Sequence, residues 1–355
     1  MDHCAIDLGG RKSQVCVRSP DGRLLFEGPY DTRSLPEFLR LLPRSRVIVE
    51  TAAEAFRVAD AAKEAGHEVR VVPATLVRSL GVGARKTKTD RRDARALSEV
   101  SCRIDLPSVH IPSARSREWK AICGMHDALI TARTKLINNL RGWLRGQGLR
   151  IAKGKAETFA ARMAKIESLP DYVRSQVEGL AALTEKLRGS DKRIEALAKD
   201  ELCQRLMTVP GIGPSSAVRF VAAIDEIARF ESAHKVESYL GLVPGESSSS
   251  ERQQRLSITK AGPSSVRWVL GQAAWSLQLR CQDPGARPLQ LWAAEIARKR
   301  GAHIATIALA RKLAGILYAL WRGGTTYERP CRRASLVERE DTTTPFHRRR
   351  SRPPR

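Results

Sequence analysis

Cys4-Ala5-Ile6-Asp7-Leu8, closed by Gly9-Gly10, and Arg46-Val47-Ile48-Val49-Glu50 decide how the N-terminal third of the chain folds. Each is a short apolar run of strand-forming residues, and each carries a carboxylate at or near its end. An ionised carboxylate in an apolar strand is costly unless it meets a partner or a metal ion. If the two strands are neighbours, Asp7 and Glu50 converge on one point. Around the first run, residues 13–18 and 23–27 read as two further strands, separated by the turn Pro20-Asp21-Gly22, which makes an antiparallel meander. Beyond it the pattern alternates. A helix is expected at 35–42, the strand ending at Glu50, a helix at 52–65 closed by Gly66, and a strand at 68–72 ending at Pro73. A meander followed by alternating strands and helices implies an α/β layer, a mixed sheet with helices packed on it.

Residues 81–89 are rich in glycine and lysine and lead into Asp90-Arg91-Arg92-Asp93-Ala94-Arg95, a helix start with acidic residues in its first turn. The i to i+3 spacing puts Asp90 and Asp93 on one helical face. Asp7, Glu50, Asp90 and Asp93 together make an all-oxygen donor set able to hold two hard cations, and Mg²⁺ suits such a shallow site shared with phosphates. Each carboxylate also has a plainer role: Asp7 as a turn residue before Gly9, Glu50 as a charge at a helix start, and Asp90 as an N-cap with Asp93 behind it.

With 355 residues, 42% of them hydrophobic, the chain is long enough for two cored domains with helices between them. Lys and Arg outnumber Asp and Glu by 62 to 38, a net charge of +24, so the expected partner is a polyanion. Charge alone does not separate a nuclease from a passive nucleic-acid binder. The seven cysteines form no C-x-x-C pair, which argues against a zinc knuckle or a disulfide framework. No secretory leader is evident and no run is expected to reach the roughly 20 apolar residues of a membrane span, which points to the cytoplasm.

Helical periodicity returns over 113–149 and 156–200, read as a long antiparallel pair. Val209-Pro210-Gly211-Ile212-Gly213-Pro214 joins two helical patterns. Its glycines fit either a helix-hairpin-helix that binds phosphate through backbone N–H groups at Gly211 and Gly213, or a tight interhelical turn. Residues 244–255 read as a polar loop containing Ser247-Ser248-Ser249-Ser250, and a run of serines by itself suggests a flexible surface segment. Lys86, Lys88, Arg91, Arg92 and Arg95 form either a basic rim for nucleic acid or a solvated face. Beyond Pro330 an Arg- and Pro-rich tail is expected to be disordered.

The ordered series Ala5-Ile6-Asp7, Val49-Glu50-Thr51-Ala52, Val71-Val72-Pro73, Lys88-Thr89-Asp90-Arg91-Arg92-Asp93-Ala94, Val209-Pro210-Gly211-Ile212-Gly213-Pro214, Tyr239-Leu240-Gly241-Leu242-Val243-Pro244, Ile258-Thr259-Lys260-Ala261-Gly262 and Ala310-Arg311-Lys312-Leu313 resembles the IS-one-ten family of insertion-sequence transposases, the bridge-RNA-guided recombinases. The resemblance implies a RuvC-like, ribonuclease-H-type α/β domain over 1–112 with Asp7, Glu50, Asp90 and Asp93 as Mg²⁺ ligands. It further implies a helical coiled-coil linker over 113–202 and a mainly α transposase domain over 203–327, with 328–355 as a basic tail. It implies a serine nucleophile matching Ser249, with Ser248 as the alternative because Ser250 stands where the family has glycine. Lys260, and Arg252 or Arg255, are candidates to steady phosphate charge. Double-stranded DNA, a guide RNA and a homodimer assembling to a tetramer are the implied partners. Two rival readings remain: a hydrolytic RuvC-like nuclease or junction resolvase, which needs the carboxylates and no serine, and a non-catalytic nucleic-acid-binding relic.

Overall fold

The computed structural model describes residues 1–79, 90–249 and 252–328. Lys86 and Lys88, Ser250 and Glu251, and nearly all of the basic tail lie outside the described residues. The chain divides into two compact units, Met1–Arg117 and Glu118–Arg355.

In the first unit, strands β1 (Asp2–Asp7), β2 (Lys12–Arg18) and β3 (Leu24–Asp31) form the meander, and helix α1 (Leu35–Leu41) leads into β4 (Ser45–Glu50). Helix α2 (Ala55–Glu64), strand β5 (Glu68–Val72), α3 (Ala74–Ser79) and α4 (Asp90–Arg103) follow. The sheet order is β3-β2-β1-β4-β5; β1, β4 and β5 are parallel, while β2 and β3 run antiparallel. The mixed sheet expected from the sequence is therefore present. Side chains alternate between its faces. Cys4, Ile6, Val47, Val49 and Val71 form one core with α1 and α2, whereas Ala5, Ile48 and Val72 pack with Leu97 of α4 and with Leu106. Arg46 fixes the β4–β5 register by donating to both carboxylate oxygens of Glu68, its cross-strand partner, at 3.1 and 3.3 Å.

The second unit is mostly helical. Helix α5 (Ala114–Gly146), which starts just inside the first unit, is followed by α6 (Phe159–Met163) and α7 (Asp171–Leu197). Ile137, Leu140 and Leu144 of α5 share a core with Phe159, Met163, Val173, Val177 and Leu180, so the two long helical stretches predicted by periodicity pack on each other. The chain continues through α8 (Glu201–Leu206), α9 (Pro214–Ile224), α10 (Ala233–Tyr239), strands β6 (Pro244–Ser249) and β7 (Arg252–Ile258), α11 (Ser264–Arg280), α12 (Arg287–Arg300) and α13 (Ala302–Gly323). Within the stretch 244–255, expected as a loop, residues 244–249 and 252–255 instead lie in the antiparallel strands β6 and β7. Serine and glutamine give no apolar alternation, so the sequence carried no strand signal there.

Helix α13 also corrects an expectation: at 22 residues, with mean hydropathy 1.4 over its most apolar window, it is long and apolar enough to cross a membrane. Its Leu309, Leu313, Ala314 and Leu317 are instead buried in the core of the second unit with Leu270, Ala274 and Leu277 of α11. A core helix apolar on its inner side satisfies the same length and composition.

Candidate active site

Strands β1 and β4 are paired in parallel up to Ile6 opposite Val49, so the next residues, Asp7 and Glu50, end neighbouring strands at the same edge of the sheet. Alternation puts both on the face of Ala5 and Ile48, the face covered by α4. Helix α4 runs antiparallel to β1. Its Ser101 hydroxyl lies 2.7 Å from His3 Nδ1, and its Ser98 hydroxyl donates to the Cys16 sulfur at 3.1 Å. From Ser101 back to Asp93 is about 12 Å along a helix, and from His3 forward to Asp7 is about 13 Å along a strand. Asp93 therefore comes to the Asp7 end of the sheet. It lies on the inward stripe of α4 with Ala94, Leu97, Ser98 and Ser101, and it is fully buried. Asp90 opens the same helix one turn earlier, and its side chain lies outside the described residues.

Two of the plainer roles fall away. Asp7 is a strand residue paired with Gln14, and Glu50 is the last residue of β4, with α2 beginning only at Ala55. The exit of β4 is tied to β5 instead: Thr51 N–H donates to Val72 O at 2.9 Å, and Thr51 Oγ1 accepts from Ala74 N–H at 3.2 Å. Among the described residues no three His, Cys, Asp or Glu side chains close on one ion-sized point. What the fold provides is two strand-end carboxylates and a third, fully buried in an otherwise apolar and hydroxyl-lined stripe, at one end of one sheet face. Burying a carboxylate is costly, and an all-oxygen set of this kind fits a hard divalent cation shared with phosphate and water.

The turn that leaves Asp7 is held from outside. Thr32 Oγ1 donates to Gly9 O at 2.7 Å and lies 2.8 Å from Ser13 Oγ, which accepts from Gly9 N–H at 3.3 Å. A Cβ at Gly9 would overlap the Lys12 carbonyl, whereas one at Gly10 would meet nothing within 4 Å. Gly9→Ala is accordingly expected to cost about 1–3 kcal/mol, and Gly10→Ala less than half of that. Thermal unfolding of the two variants side by side checks this, and equal shifts would show that the turn does not depend on Gly9.

In the second unit, β6 and β7 pair Ser247 with Gln254, Ser248 with Gln253 and Ser249 with Arg252, so both candidate nucleophiles sit at the C-terminal end of β6. The side chains of Ser247–Ser249, Arg252 and Arg255 lie outside the described residues. The base of the hairpin is built by close backbone contact. Gly241 has φ +68°, and a Cβ there would stand 2.6 Å from Ala261 N and 2.8 Å from Lys260 C. Gly262 has φ +73°, and its Cβ would overlap the Tyr239 carbonyl oxygen. Arg267 stitches the same junction, its Nη1 facing Leu240 O at 3.1 Å, Ala261 O at 2.6 Å and Gly262 O at 3.0 Å. Lys260 is exposed with φ +55°, and its N–H donates to Gly241 O at 3.2 Å. Sequence reasoning missed Arg267. The available signal was a pair of glycines in two separate motifs followed by an arginine in the next helical turn.

Gly211 has φ +85°, and a Cβ on it would lie 3.2 Å from Ala273 O and 3.3 Å from Leu277 Cβ, so close packing on α11 accounts for this glycine. Gly213 caps α9 in extended backbone ahead of Pro214. Arg92 is exposed on α4, Arg91 is described only as backbone of that helix, and Arg95 bonds to Glu27 of β3 at 2.5 Å, which makes it a strut between helix and sheet.

Residues 4–147 match a family model described as a transposase, of the DEDD type of IS110, and residues 203–290 match one described as the transposase IS116/IS110/IS902 family. A probable family 20 transposase of Pseudomonas aeruginosa is 30% identical over 304 residues, covering 82% of this chain and 88% of its own. The transposase for insertion sequence element IS1111A of Coxiella burnetii is 30% identical over 68% of this chain and 69% of its own. The transposase for insertion sequence element IS1328 of Yersinia enterocolitica is 27% identical over 91% and 98%.

Proposed function

The chain belongs to the IS116/IS110/IS902 family of insertion-sequence transposases, enzymes that cleave and recombine DNA, and we propose that it does so with the carboxylates Asp7, Glu50, Asp90 and Asp93 of one unit and a serine, Ser249, of the other. The observation that carries the reading is the convergence of Asp7 and Glu50, at the ends of adjacent parallel strands, on the sheet face where α4 buries Asp93. We read this mixed sheet as a RuvC-like, ribonuclease-H-type layer and the four carboxylates as holding Mg²⁺. A divalent cation bound there supplies positive charge to a phosphodiester under attack and to the oxygen that leaves it.

The chain's own residues divide the remaining work. Ser249 Oγ attacks phosphorus, one O–P bond forms as the bridging sugar O–P bond breaks, and the serine proton ends on the departing sugar oxygen. The phosphoserine ester keeps the bond energy, so a second DNA end can reverse the step and rejoin the strand. Gly241, Gly262 and Arg267 hold the base of the serine hairpin, and the exposed Lys260 beside it supplies positive charge for the phosphate. A guide RNA encoded by the element, and a homodimer that assembles to a tetramer, belong to the same reading. The net charge of +24 supports a polyanionic partner without separating RNA from DNA.

The test is a reaction of purified protein with Mg²⁺, the transcript flanking its gene and end-labelled DNA, analysed on a denaturing gel and by peptide mass. A protein–DNA adduct mapped to Ser249 and lost in Ser249→Ala is the expected result. Free-ended cleavage without an adduct would establish the hydrolytic nuclease instead, and an adduct retained by Ser249→Ala but lost in Ser248→Ala would move the nucleophile by one residue.

A further inference from the structure

Helix α11 is apolar on both sides. Val266, Leu270, Ala273 and Leu277 are buried in the core, yet Trp268, Trp275 and Leu279 are 56%, 41% and 62% exposed. Trp268 forms one wall of a groove of about 860 Å³, whose opposite wall is a stripe of α5 made of Asp127, Ile130, Thr131, Thr134, Lys135 and Asn138. We infer that this groove binds unpaired bases of the DNA substrate, with the Trp268 indole as the stacking platform.

Three features select that occupant. The groove volume lies within the range of sites that enclose small planar ligands, and an exposed indole stacks on any base, which suits a strand whose sequence varies. Thr131 and Thr134 donate their hydroxyl hydrogens to the carbonyls of Asp127 and Ile130, each at 2.9 Å, so towards the groove they offer methyl groups and acceptor lone pairs. Acceptors beside Asn138 match the N–H edge of a base. Around the indole the charge is mostly positive: Lys135 lines the groove with the single acid Asp127, the exposed Arg141 and Arg145 follow towards the end of α5, and Arg280 ends α11. An exposed indole face with cationic side chains around it repeats the division of a strand into bases and backbone. A second copy of this chain would bring the same positive margins against themselves. Because family members act on DNA, and exchanging strands unpairs them, the partner is single-stranded DNA.

The site is independent of the serine and of the metal, so it is tested by binding alone with the full-length protein. The probes are a thymidine oligomer of about twenty nucleotides, a uridine oligomer and a duplex of the same length, and the variants are Trp268→Ala and Trp268→Phe. Expected is a loss of about tenfold in affinity for the thymidine oligomer in Trp268→Ala, substantial recovery in Trp268→Phe, unchanged duplex binding and an unchanged melting temperature. Photo-cross-linking with 5-iododeoxyuridine in the oligomer should mark the peptide containing Trp268. Unchanged single-strand affinity with no cross-link in α11 overturns the proposal. So does an equal loss on duplex and single strand, a Trp268-dependent preference for the uridine oligomer, or a change of oligomeric state in Trp268→Ala.

Discussion

Asp7→Asn is expected to lower Mg²⁺-dependent strand cleavage by about three orders of magnitude or more while leaving DNA binding and the melting temperature close to those of the unchanged protein. The substitution keeps size and hydrogen-bonding capacity and removes only the charge, at the end of a strand whose remaining residues are packed on both faces. Asp7, Glu50 and the buried Asp93 share one end of one sheet face. Like charges at one end of a sheet face repel, and a divalent cation there would offset that repulsion. Asp2→Asn, at the opposite end of the same strand, is the control and should retain cleavage. Cleavage rates measured across a Mg²⁺ titration, together with Mn²⁺ binding followed by electron paramagnetic resonance, check both halves of the expectation. Full cleavage by Asp7→Asn, or unaltered cation affinity, would remove Asp7 from the metal site.

The carboxylates were legible because strands advertise themselves. Val47-Ile48-Val49 is a continuous apolar run, as a strand buried on both faces requires, and the charge that ends it stands out against that background. What the sequence left open was which strands are neighbours. Parallel pairing of β1 with β4 joins residues more than forty positions apart and leaves no local trace. Asp93 needed still more: only the burial of one stripe of α4 distinguishes it from an ordinary acidic residue in a first helical turn. The serine hairpin was misread as a loop for the opposite reason. Its strands are held by backbone pairing and by a clasp at the base, and backbone pairing asks for no apolar period in the sequence. Arg267 was invisible because its acceptors are three backbone carbonyls, groups that every residue carries.

The clasp leads to the largest expected effect on folding. Gly262→Ala forces a β-carbon into the Tyr239 carbonyl at a backbone angle, φ +73°, that L-residues rarely adopt. Strain and overlap add, for an expected loss of about 2–5 kcal/mol. The neighbour cannot yield by swinging a side chain away, because the obstruction is main chain and Arg267 pins the adjoining carbonyls. Gly271→Ala supplies the opposite case: its β-carbon would meet nothing within 4 Å in the interior of α11, and helix propensity alone should add about 0.5–1 kcal/mol. Urea unfolding of the two variants should therefore shift in opposite directions. Hydrogen exchange gives the local reading: backbone amides of β6 and β7 should lose protection in Gly262→Ala and keep it in Gly271→Ala. If the two substitutions behave alike, the junction of Tyr239-Leu240-Gly241 with Lys260-Ala261-Gly262 is not what fixes the hairpin. If they diverge while the hairpin amides stay protected, the clasp stabilises the helical core and the serine strands are held by something else.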